Sequence, residues 1–218
     1  AIKLLKDLGW NASDCYKEFE QGGCSPLGRE NKSDVILKTK LLNALKKLNP
    51  ATPAEAFEEA IAELSRDRSR LSPASANREV YSLIKSGVKV SIPDPHGEGR
   101  PDEVVKLMDG DNPQNSGFFI ASRLWITGEM YTRRTDLIGF VNGIPLVFIE
   151  LKASHRRLEN AFYGNLRDYK DTIPHLFWYN ALVILSNGSQ SKIGSVTAGW
   201  DHFSDWKRIN NEGEKGII

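Results

Sequence analysis

The chain has 218 residues, 40% of them apolar and 26% charged, and its formal net charge is +1. These values are ordinary for a globular domain and exclude a disordered or collagen-like chain, and no apolar run approaches the roughly 20 residues of a membrane-spanning helix. Position 1 is not Met and no signal-peptide pattern follows it, so we expect a trimmed chain or a fragment.

The first 86 residues are predicted to be mostly helical. Leu4, Leu5 and Leu8 have the spacing of a short amphipathic helix that ends at Gly9. Apolar residues then recur at helical spacing over residues 35–48, and the Asn-Pro pair that follows ends this second helix.

Two more helices are predicted before the strands begin. In the segment TPAEAFEEAIAEL, Thr52 is the expected N-cap, Pro53 suits the first helical position and Glu55 completes a capping box. A further helix is expected over residues 75–86, and Gly87 ends it.

The two cysteines, Cys15 and Cys24, form no CxxC pair and have no nearby His at metal-ligand spacing. This arrangement favours free thiols in a reducing cytoplasm over a disulfide or a metal site. The net charge says little about partners, because a global average can hide a local basic face.

The hydrophobic period changes from about 3.6 to two after residue 87, which predicts strands. VKVSI, EVVKLMD and GFFIASRLWIT are strand candidates, and Asn142-Gly143 joins two apolar strands in a hairpin. We therefore expect residues 87–218 to form the core, with an N-terminal helical region of residues 1–86 packed on it.

A helix is predicted over residues 155–171, and the apolar strand NALVILSNG follows it. Strand, helix and strand in this order predict a right-handed crossover between parallel strands. The predicted fold class is therefore α/β, with a mixed central β-sheet flanked by helices.

The most apolar predicted strand lies in IPLVFIELKAS, and it carries a carboxylate and an ammonium group towards its end. Glu150 and Lys152 are two residues apart, so on a strand their side chains leave the same face. Charge is costly beside an apolar core, which marks this pair as a candidate site.

The turn of the hairpin decides whether Asp136 joins this pair. A two-residue Asn-Gly turn would place Asp136 opposite Ile149, so that it points away from Glu150. A three-residue loop with Gly143 in the left-handed conformation would place Asp136 opposite Phe148, diagonally beside Glu150. We predict the second arrangement, a type I turn with a glycine bulge at Gly143.

Two carboxylates and a lysine would then meet at the open end of the hairpin. Neighbouring carboxylates resist ionising together, and a divalent cation that prefers hard oxygen ligands, Mg²⁺ or Mn²⁺, relieves this repulsion. An incomplete protein shell leaves room for a phosphate oxygen and an attacking water, which the lysine can orient or deprotonate. The set is equipped to hydrolyse a phosphodiester.

The alternative interpretation is a strand-end ion pair that reaches solvent, because Glu-x-Lys is a common pattern. A second acid-x-Lys pattern occurs at Asp168 and Lys170. It is discounted because it lies on a predicted helix, where residues i and i+2 do not face each other.

The stretch RRTDLIGFVNGIPLVFIELK combines an acid, a hairpin and Glu-x-Lys, an order that resembles the PD-(D/E)xK nuclease superfamily. More narrowly, the chain resembles the N-terminal nuclease region of type I restriction enzyme R (HsdR-type) subunits over nearly its whole length. LLKDLGW, VILKTKLLNALKKLNP, NPQNSGFFIASRLWI and YKDTIPHLFWYNALVILSNG resemble further segments of that family.

The resemblance implies a restriction-endonuclease-like fold and a Mg²⁺-dependent DNA endonuclease, in which Mn²⁺ is expected to substitute for Mg²⁺. By match, Asp136 and Glu150 are metal ligands and Lys152 is the catalytic lysine. The main-chain carbonyl of Leu151 is a further expected ligand.

The family's Gln-x-x-x-Tyr motif, which helps to position DNA, reads Asn165-x-x-x-Tyr169 in this chain. Asn keeps the amide of Gln but is one methylene shorter, so the reach of the contact changes. Arg134 is expected to help position DNA, and Thr135 stands where the family usually has a proline before the first Asp.

The resemblance also implies partners. No GxxxxGK[ST] motif occurs, so the ATP-driven motor domains of the family are absent from this chain, and ATP is expected to serve only them. The expected partners are double-stranded DNA, those motor domains, and the modification and specificity subunits of a type I restriction complex in the bacterial or archaeal cytoplasm, with no membrane.

Three matters stay open from the sequence. The alternatives to this function are a catalytically silent DNA-binding or docking module of the same complex and a related recombination or repair nuclease. A glutamate at Glu55, Glu58 or Glu59 is a candidate remote acid, against the alternative of a solvated helix face. Basic residues near the predicted site favour a DNA-facing side: Arg133, Arg134, Lys152, Arg156, Arg157, Arg167 and Lys170.

Overall fold

The centre of the fold is a seven-stranded mixed β-sheet. The computed structural model describes residues 1–20, 25–91 and 103–206. The strands in chain order are β1 (Asn11–Asp14), β2 (Val88–Val90), β3 (Glu103–Val105), β4 (Phe118–Ser122), β5 (Trp125–Thr127), β6 (Thr132–Arg134), β7 (Leu137–Val141), β8 (Ile144–Leu151), β9 (Leu182–Ser186), β10 (Ser191–Gly194) and β11 (Ser204–Asp205).

The order across the central sheet is β1-β4-β7-β8-β9-β10-β11, while β2-β3 and β5-β6 form separate two-stranded ribbons. The β1–β4 and β8–β9 pairs are parallel, and the other neighbours in the sheet are antiparallel. The predicted α/β class with a mixed central sheet and flanking helices is confirmed.

The helices lie where the hydrophobic spacing predicts them. They are α1 (Ile2–Asp7), α2 (Lys38–Leu48), α3 (Ala54–Leu64), α4 (Pro73–Ser86), α5 (Leu158–Asn160) and α6 (Arg167–Thr172), and a π-helical segment (Ala161–Leu166) joins α5 to α6. The last three form the crossover between β8 and β9. Among the described residues no helix is long and apolar enough to cross a membrane.

Two predicted helix starts are wrong. The second helix begins at Lys38 rather than near residue 35. The third helix begins at Ala54, with the extended backbone of Pro53 at its N-cap and no side-chain hydrogen bond there, so Thr52 does not form the predicted cap. The fixed φ of proline suits this boundary as well as it suits the first helical turn.

Two strand candidates also differ from their predicted places. GFFIASRLWIT divides into β4 and β5 because Arg123, between them, has a left-handed backbone with a φ of 56°. VKVSI and EVVKLMD pair with each other as the β2–β3 ribbon, outside the central sheet.

The N-terminal region is more than a helical layer, since β1 is an edge strand of the central sheet. It pairs with β4, and the Cys15 N–H extends the pairing by donating to the Ser122 carbonyl at 2.8 Å. One apolar cluster contains side chains from α2, α3 and the sheet alike. The division at residue 86 stays a prediction. Cys15 is buried as a free thiol, and Cys24 lies outside the described residues.

The turn between β7 and β8 differs from the predicted loop. Val141 pairs with Ile144, so the turn has two residues, and both Asn142 and Gly143 have positive φ values, 52° and 84°. This backbone has the sign pattern of a type I′ turn, which matches the twist of a hairpin better than the predicted type I turn does. The predicted glycine bulge at Gly143 is therefore wrong.

The register changes instead inside β8. Gly139 pairs with Val147 and Phe140 pairs with Pro145, so Leu146 is an extra, bulged residue. Its carbonyl accepts hydrogen bonds from the Ala181 N–H at 2.8 Å and from the Asn180 side-chain amide. The bulge is therefore held by the segment that leads into β9.

We predict that Gly143→Ala lowers the free energy of unfolding by about 2–4 kcal/mol. A left-handed alanine is strained, and its Cβ would lie 2.6 Å from the Leu37 carbonyl oxygen and 2.8 Å from the Leu41 nitrogen at the start of α2. Urea unfolding monitored by circular dichroism measures the loss.

Gly188→Ala is the matched control, because Gly188 has nearly the same φ, 83°, but open space around its Cβ position. We expect it to lose only about 1 kcal/mol. Equal losses in the two variants would show that the contact with α2 does not constrain the turn.

Candidate functional site

The bulge brings Asp136 and Glu150 together. Leu137 pairs with Ile149, so extending the register by one step places Asp136 directly opposite Glu150. By alternation, both side chains leave the face that carries the buried Phe148. The predicted meeting of these carboxylates on one face is therefore found, although a bulge at Leu146 rather than the turn produces it.

Glu150 is a buried carboxyl group with an incomplete set of partners. Its side chain is 2% exposed, and Oε1 accepts a hydrogen bond from the Lys152 ammonium at 2.8 Å. Oε2 is buried and has no hydrogen-bond partner among the described residues. Burial raises the pKa of Glu150 to about 7, the hydrogen bond from Lys152 opposes this rise, and the charge of Asp136 adds to it.

Asp136 lies just before β7, at the edge of a cleft of about 510 Å³. Its Oδ2 accepts a hydrogen bond from the Leu151 main-chain N–H at 2.8 Å, so the main chain of Leu151 lies beside this carboxylate. Lys152, Asp14 and Arg123 also line the cleft. Asp136 therefore borders the open cleft, whereas the buried Glu150 is not part of its lining.

The donor set fits a hard divalent cation. Asp136 and Glu150 are oxygen donors on adjacent strands, and the unpartnered Oε2 of Glu150 is a buried acceptor that a cation would satisfy. Within residues 1–20, 25–91 and 103–206, no third Asp, Glu, His or Cys side chain joins them as a ligand cluster. The candidate remote acids of α3 therefore do not complete the set.

Tyr169 and Asn165 lie on the crossover helix beside this centre. Tyr169 is buried, its ring packs edge-on against Phe148 with centroids 5.5 Å apart, and its hydroxyl donates to the Arg134 carbonyl at 3.0 Å. Burial raises the pKa of Tyr169 to about 12, the charge of Glu150 adds to the rise, and a hydrogen bond with Asn165 opposes it. Tyr169 thus supports the site through packing and a main-chain hydrogen bond. A contact between Tyr169 and DNA stays a prediction.

The predicted basic side is partly neutralised. Arg133 forms a bidentate salt bridge with Asp168, and Arg157 pairs with Glu159. Lys170 donates to a main-chain carbonyl, and burial lowers its pKa. The Arg134 side chain, by contrast, is exposed and forms no hydrogen bond or salt bridge with the described residues.

Sequence reasoning missed the other side of the cleft. Asp14 and Arg123 form a salt bridge there, and Tyr16 lies against the Arg123 guanidinium. These residues come from β1 and from the end of β4, more than 100 positions apart. No local pattern signals a parallel pairing over that distance.

The chain matches a known protein family over most of its length. Residues 1–202 match the family described as the type I restriction enzyme R protein N terminus. The chain is 31% identical over 226 residues to the type I restriction enzyme HindI endonuclease subunit of Haemophilus influenzae, a match that covers 100% of this chain and 20% of the relative.

A second relative comes from Methanocaldococcus jannaschii and carries the provisional name type I restriction enzyme MjaIXP endonuclease subunit. It is 29% identical over 231 residues, covering 100% of this chain and 21% of its own length. The chain thus spans about one fifth of the length of these curated relatives.

We predict that Glu150→Gln removes a pH dependence of stability. The folded-state pKa of about 7 lies above the ordinary 4.5, so Glu150 favours the folded state below pH 4.5, and this contribution is lost as the pH rises through 7. Between pH 5 and pH 8 the variant should gain on the order of 2 kcal/mol relative to the parent.

Urea unfolding in EDTA at the two pH values measures this difference. Glu58→Gln, on the exposed side of α3, is the control and should follow the parent. Parallel pH profiles for the parent and Glu150→Gln would show that Glu150 is not held in a desolvated environment.

Proposed function

Because the chain belongs to the family of type I restriction enzyme R protein N termini, we propose that it is the endonuclease domain of such a subunit. The proposed reaction is Mg²⁺-dependent hydrolysis of phosphodiester bonds in double-stranded DNA, with Mn²⁺ able to substitute. The observation that supports this most is the buried Glu150, whose Oε2 has no hydrogen-bond partner in the described part of the chain and which stands opposite Asp136.

In this proposal Asp136, Glu150 and the Leu151 carbonyl hold the metal ion. A bound Mg²⁺ neutralises the paired carboxylates and stabilises the negative charge that develops on the phosphate. The closed side of the site, around Glu150, keeps bulk water from the carboxylate, while the open cleft beside Asp136 admits the DNA strand.

Lys152 is the proposed proton-handling residue. The Lys152 ammonium lies 2.8 Å from Glu150 Oε1 and the side chain is mostly buried, so the ion pair and the surrounding packing hold it in place. From there it can orient the attacking water or donate to a phosphate oxygen. The water oxygen bonds to phosphorus, the bond from phosphorus to one ester oxygen breaks, and the leaving oxygen takes up a proton.

The rest of the enzyme is proposed from the relatives. Both are named as endonuclease subunits of type I restriction enzymes and are about five times as long as the match. We propose that ATP-driven motor domains belong to the same full-length chain, that modification and specificity subunits complete the complex, and that it acts in the cytoplasm. The specificity subunit would then choose the DNA sequence.

We predict that Asp136→Ala, Glu150→Ala and Lys152→Ala, made in the full-length subunit, each slow DNA cleavage by the assembled complex by about 10²-fold or more. The two acids would lose their ion, and the lysine variant would lose its proton-handling group. Conversion of supercoiled plasmid to linear DNA measures the rate. Lys170→Ala is the matched control, because it removes the lysine of the second acid-x-Lys pattern.

Isothermal titration with Mn²⁺ distinguishes the metal-binding role of the two acids from the proton-handling role of Lys152. The parent should bind Mn²⁺, the two acid variants should lose that binding, and Lys152→Ala should keep it. A parent that binds no Mn²⁺ would favour the catalytically silent docking module. A Glu150→Ala complex that cuts as fast as the parent would overturn the nuclease assignment.

A further inference from the structure

We propose that Arg134 binds a phosphate of the DNA backbone next to the bond that is cut, and that Tyr16 and Trp125 are positioning residues that hold its guanidinium in place. The inference rests on the proposed nuclease function and adds to it the group that holds the substrate. We call Arg134, Tyr16 and Trp125 the arginine clamp.

Arg134 is the last residue of β6 and stands two residues before Asp136. Two residues of extended chain span roughly 6–7 Å, about the spacing of neighbouring phosphates in a DNA strand. The Arg134 main chain is held in place because its carbonyl accepts a hydrogen bond from the Tyr169 hydroxyl. The residue is therefore tied to the site through the backbone, and its side chain faces solvent.

The Arg134 side chain is ordered by rings rather than by a carboxylate. Its guanidinium carbon lies 5.5 Å from the Tyr16 ring centroid and 5.7 Å from that of Trp125. Contact with an aromatic ring orients the guanidinium without using its N–H groups, which stay in the plane of the group and free to donate. Such an arginine is prepared for a bidentate contact with a phosphate.

The neighbouring arginines differ in this respect. Arg133 is engaged by Asp168, and Arg123 by Asp14. Among these three, only Arg134 has no carboxylate partner in the described part of the chain. A positive charge without a carboxylate partner, on a residue two positions before Asp136, is expected where an anion is to be bound.

The clamp is a built structure. Trp125 pairs with Arg134 across the β5–β6 ribbon, and its indole N–H donates to the Tyr16 carbonyl at 3.1 Å. Tyr16 lies two residues after β1. The Cys15 N–H, between them, donates a hydrogen bond to the Ser122 carbonyl at the end of β4. The hydrogen bond from the Trp125 indole to the Tyr16 main chain thus fixes the positions of the two rings relative to each other.

A buried ion pair holds the same two segments together. The side chains of Glu18 and Arg29 are both 0% exposed, and the Arg29 Nη2 lies 2.5 Å from Glu18 Oε2. Arg29 also donates to the Trp125 carbonyl at 2.9 Å. A buried ion pair is a poor source of stability compared with apolar packing. Here it fixes the loop that carries Tyr16 to the strand that carries Trp125.

The rings are engaged by cations, which selects phosphate over bases as the ligand. Tyr16 contacts the guanidinium groups of Arg134 and Arg123, and Trp125 contacts Arg134 and the Lys32 ammonium. Stacking of a base on either ring would displace a cation. A contact with the DNA backbone, which reads no sequence, is therefore favoured over the stacking of bases on these rings.

The clamp is connected to the cleft of the candidate site through Arg123. Arg123 lines that cleft with Asp136 and Lys152, and it also lies over Tyr16. The Arg123 N–H donates to the Asp136 main-chain carbonyl at 2.9 Å. A strand held by Arg134 would therefore pass along the open side of Asp136.

The test uses the full-length subunit in its assembled complex, with cleavage of plasmid DNA below saturation at several salt concentrations between roughly 50 and 200 mM. Arg134→Ala should lower the cleavage rate about tenfold and reduce the slope of log rate against log salt by about one. Arg134→Lys should recover part of the rate, because it keeps the charge but not the planar fork.

The rings are tested by a conservative and a disruptive change. Tyr16→Phe keeps the aromatic face and should cleave as the parent does, while Tyr16→Leu should lose several-fold in rate at low DNA concentration and recover at saturation. A purely structural role would not produce this dependence on DNA concentration. Equal rates in Tyr16→Leu and Tyr16→Phe would overturn the positioning role.

Arg78→Ala, on the exposed side of α4, is the matched control for the loss of one positive charge. If Arg134→Ala cleaves no more slowly than Arg78→Ala, the phosphate contact is overturned. Glu150→Ala in the same series keeps the two proposals apart. Its inactivity beside an active Arg134→Ala would refute the clamp alone, and its activity would refute the nuclease assignment.

Discussion

The candidate site depends on one extra residue in β8. Side chains alternate along a strand, so a shift of one position exchanges the two faces of the hairpin. With the two-residue turn alone, Asp136 would stand opposite Ile149 and would point towards the apolar layer under α1. The bulge at Leu146 corrects the register by one step, and the hydrogen bonds to its carbonyl from the segment before β9 keep it there. Glu150 and Asp136 therefore owe their meeting to a backbone irregularity at Leu146, a short distance after the turn.

That placement has an energetic cost, which supports the proposal of a functional rather than a structural role. A carboxyl group with one unpartnered oxygen in a buried position destabilises a fold, and a hydrophobic residue at position 150 would pack better. Lys152 offsets part of this cost through its hydrogen bond to Oε1. The remainder is the kind of local strain that a bound cation relieves, and stable domains tolerate such sites where they bind or react.

The sequence allowed prediction of what is local and periodic. Helical spacing located α2, α3 and α4, and the alternation of β8 placed Glu150 and Lys152 on one face. The prediction of the turn type was wrong because Asn-Gly fits more than one hairpin loop. The position of the bulge was not predicted because Pro145-Leu146 carries no signal for an extra residue. The pairing of β1 with β4 was not predicted for another reason. The two strands are more than 100 residues apart, and neither contains a sequence pattern that indicates the other as its partner.

The same long-range pairing argues that the first 86 residues are part of the site. β1 places Asp14 in the cleft and leads directly into Tyr16, and Glu18 then pairs with Arg29 under β5. This region supplies one wall of the cleft and one ring beside Arg134. Arg134 and the two carboxylates lie close together in the chain, whereas Asp14 and Tyr16 come from its N-terminal end, and the pairing of β1 with β4 brings the two regions together. A helical prelude that only covered the core would not need to contribute its first strand to that sheet.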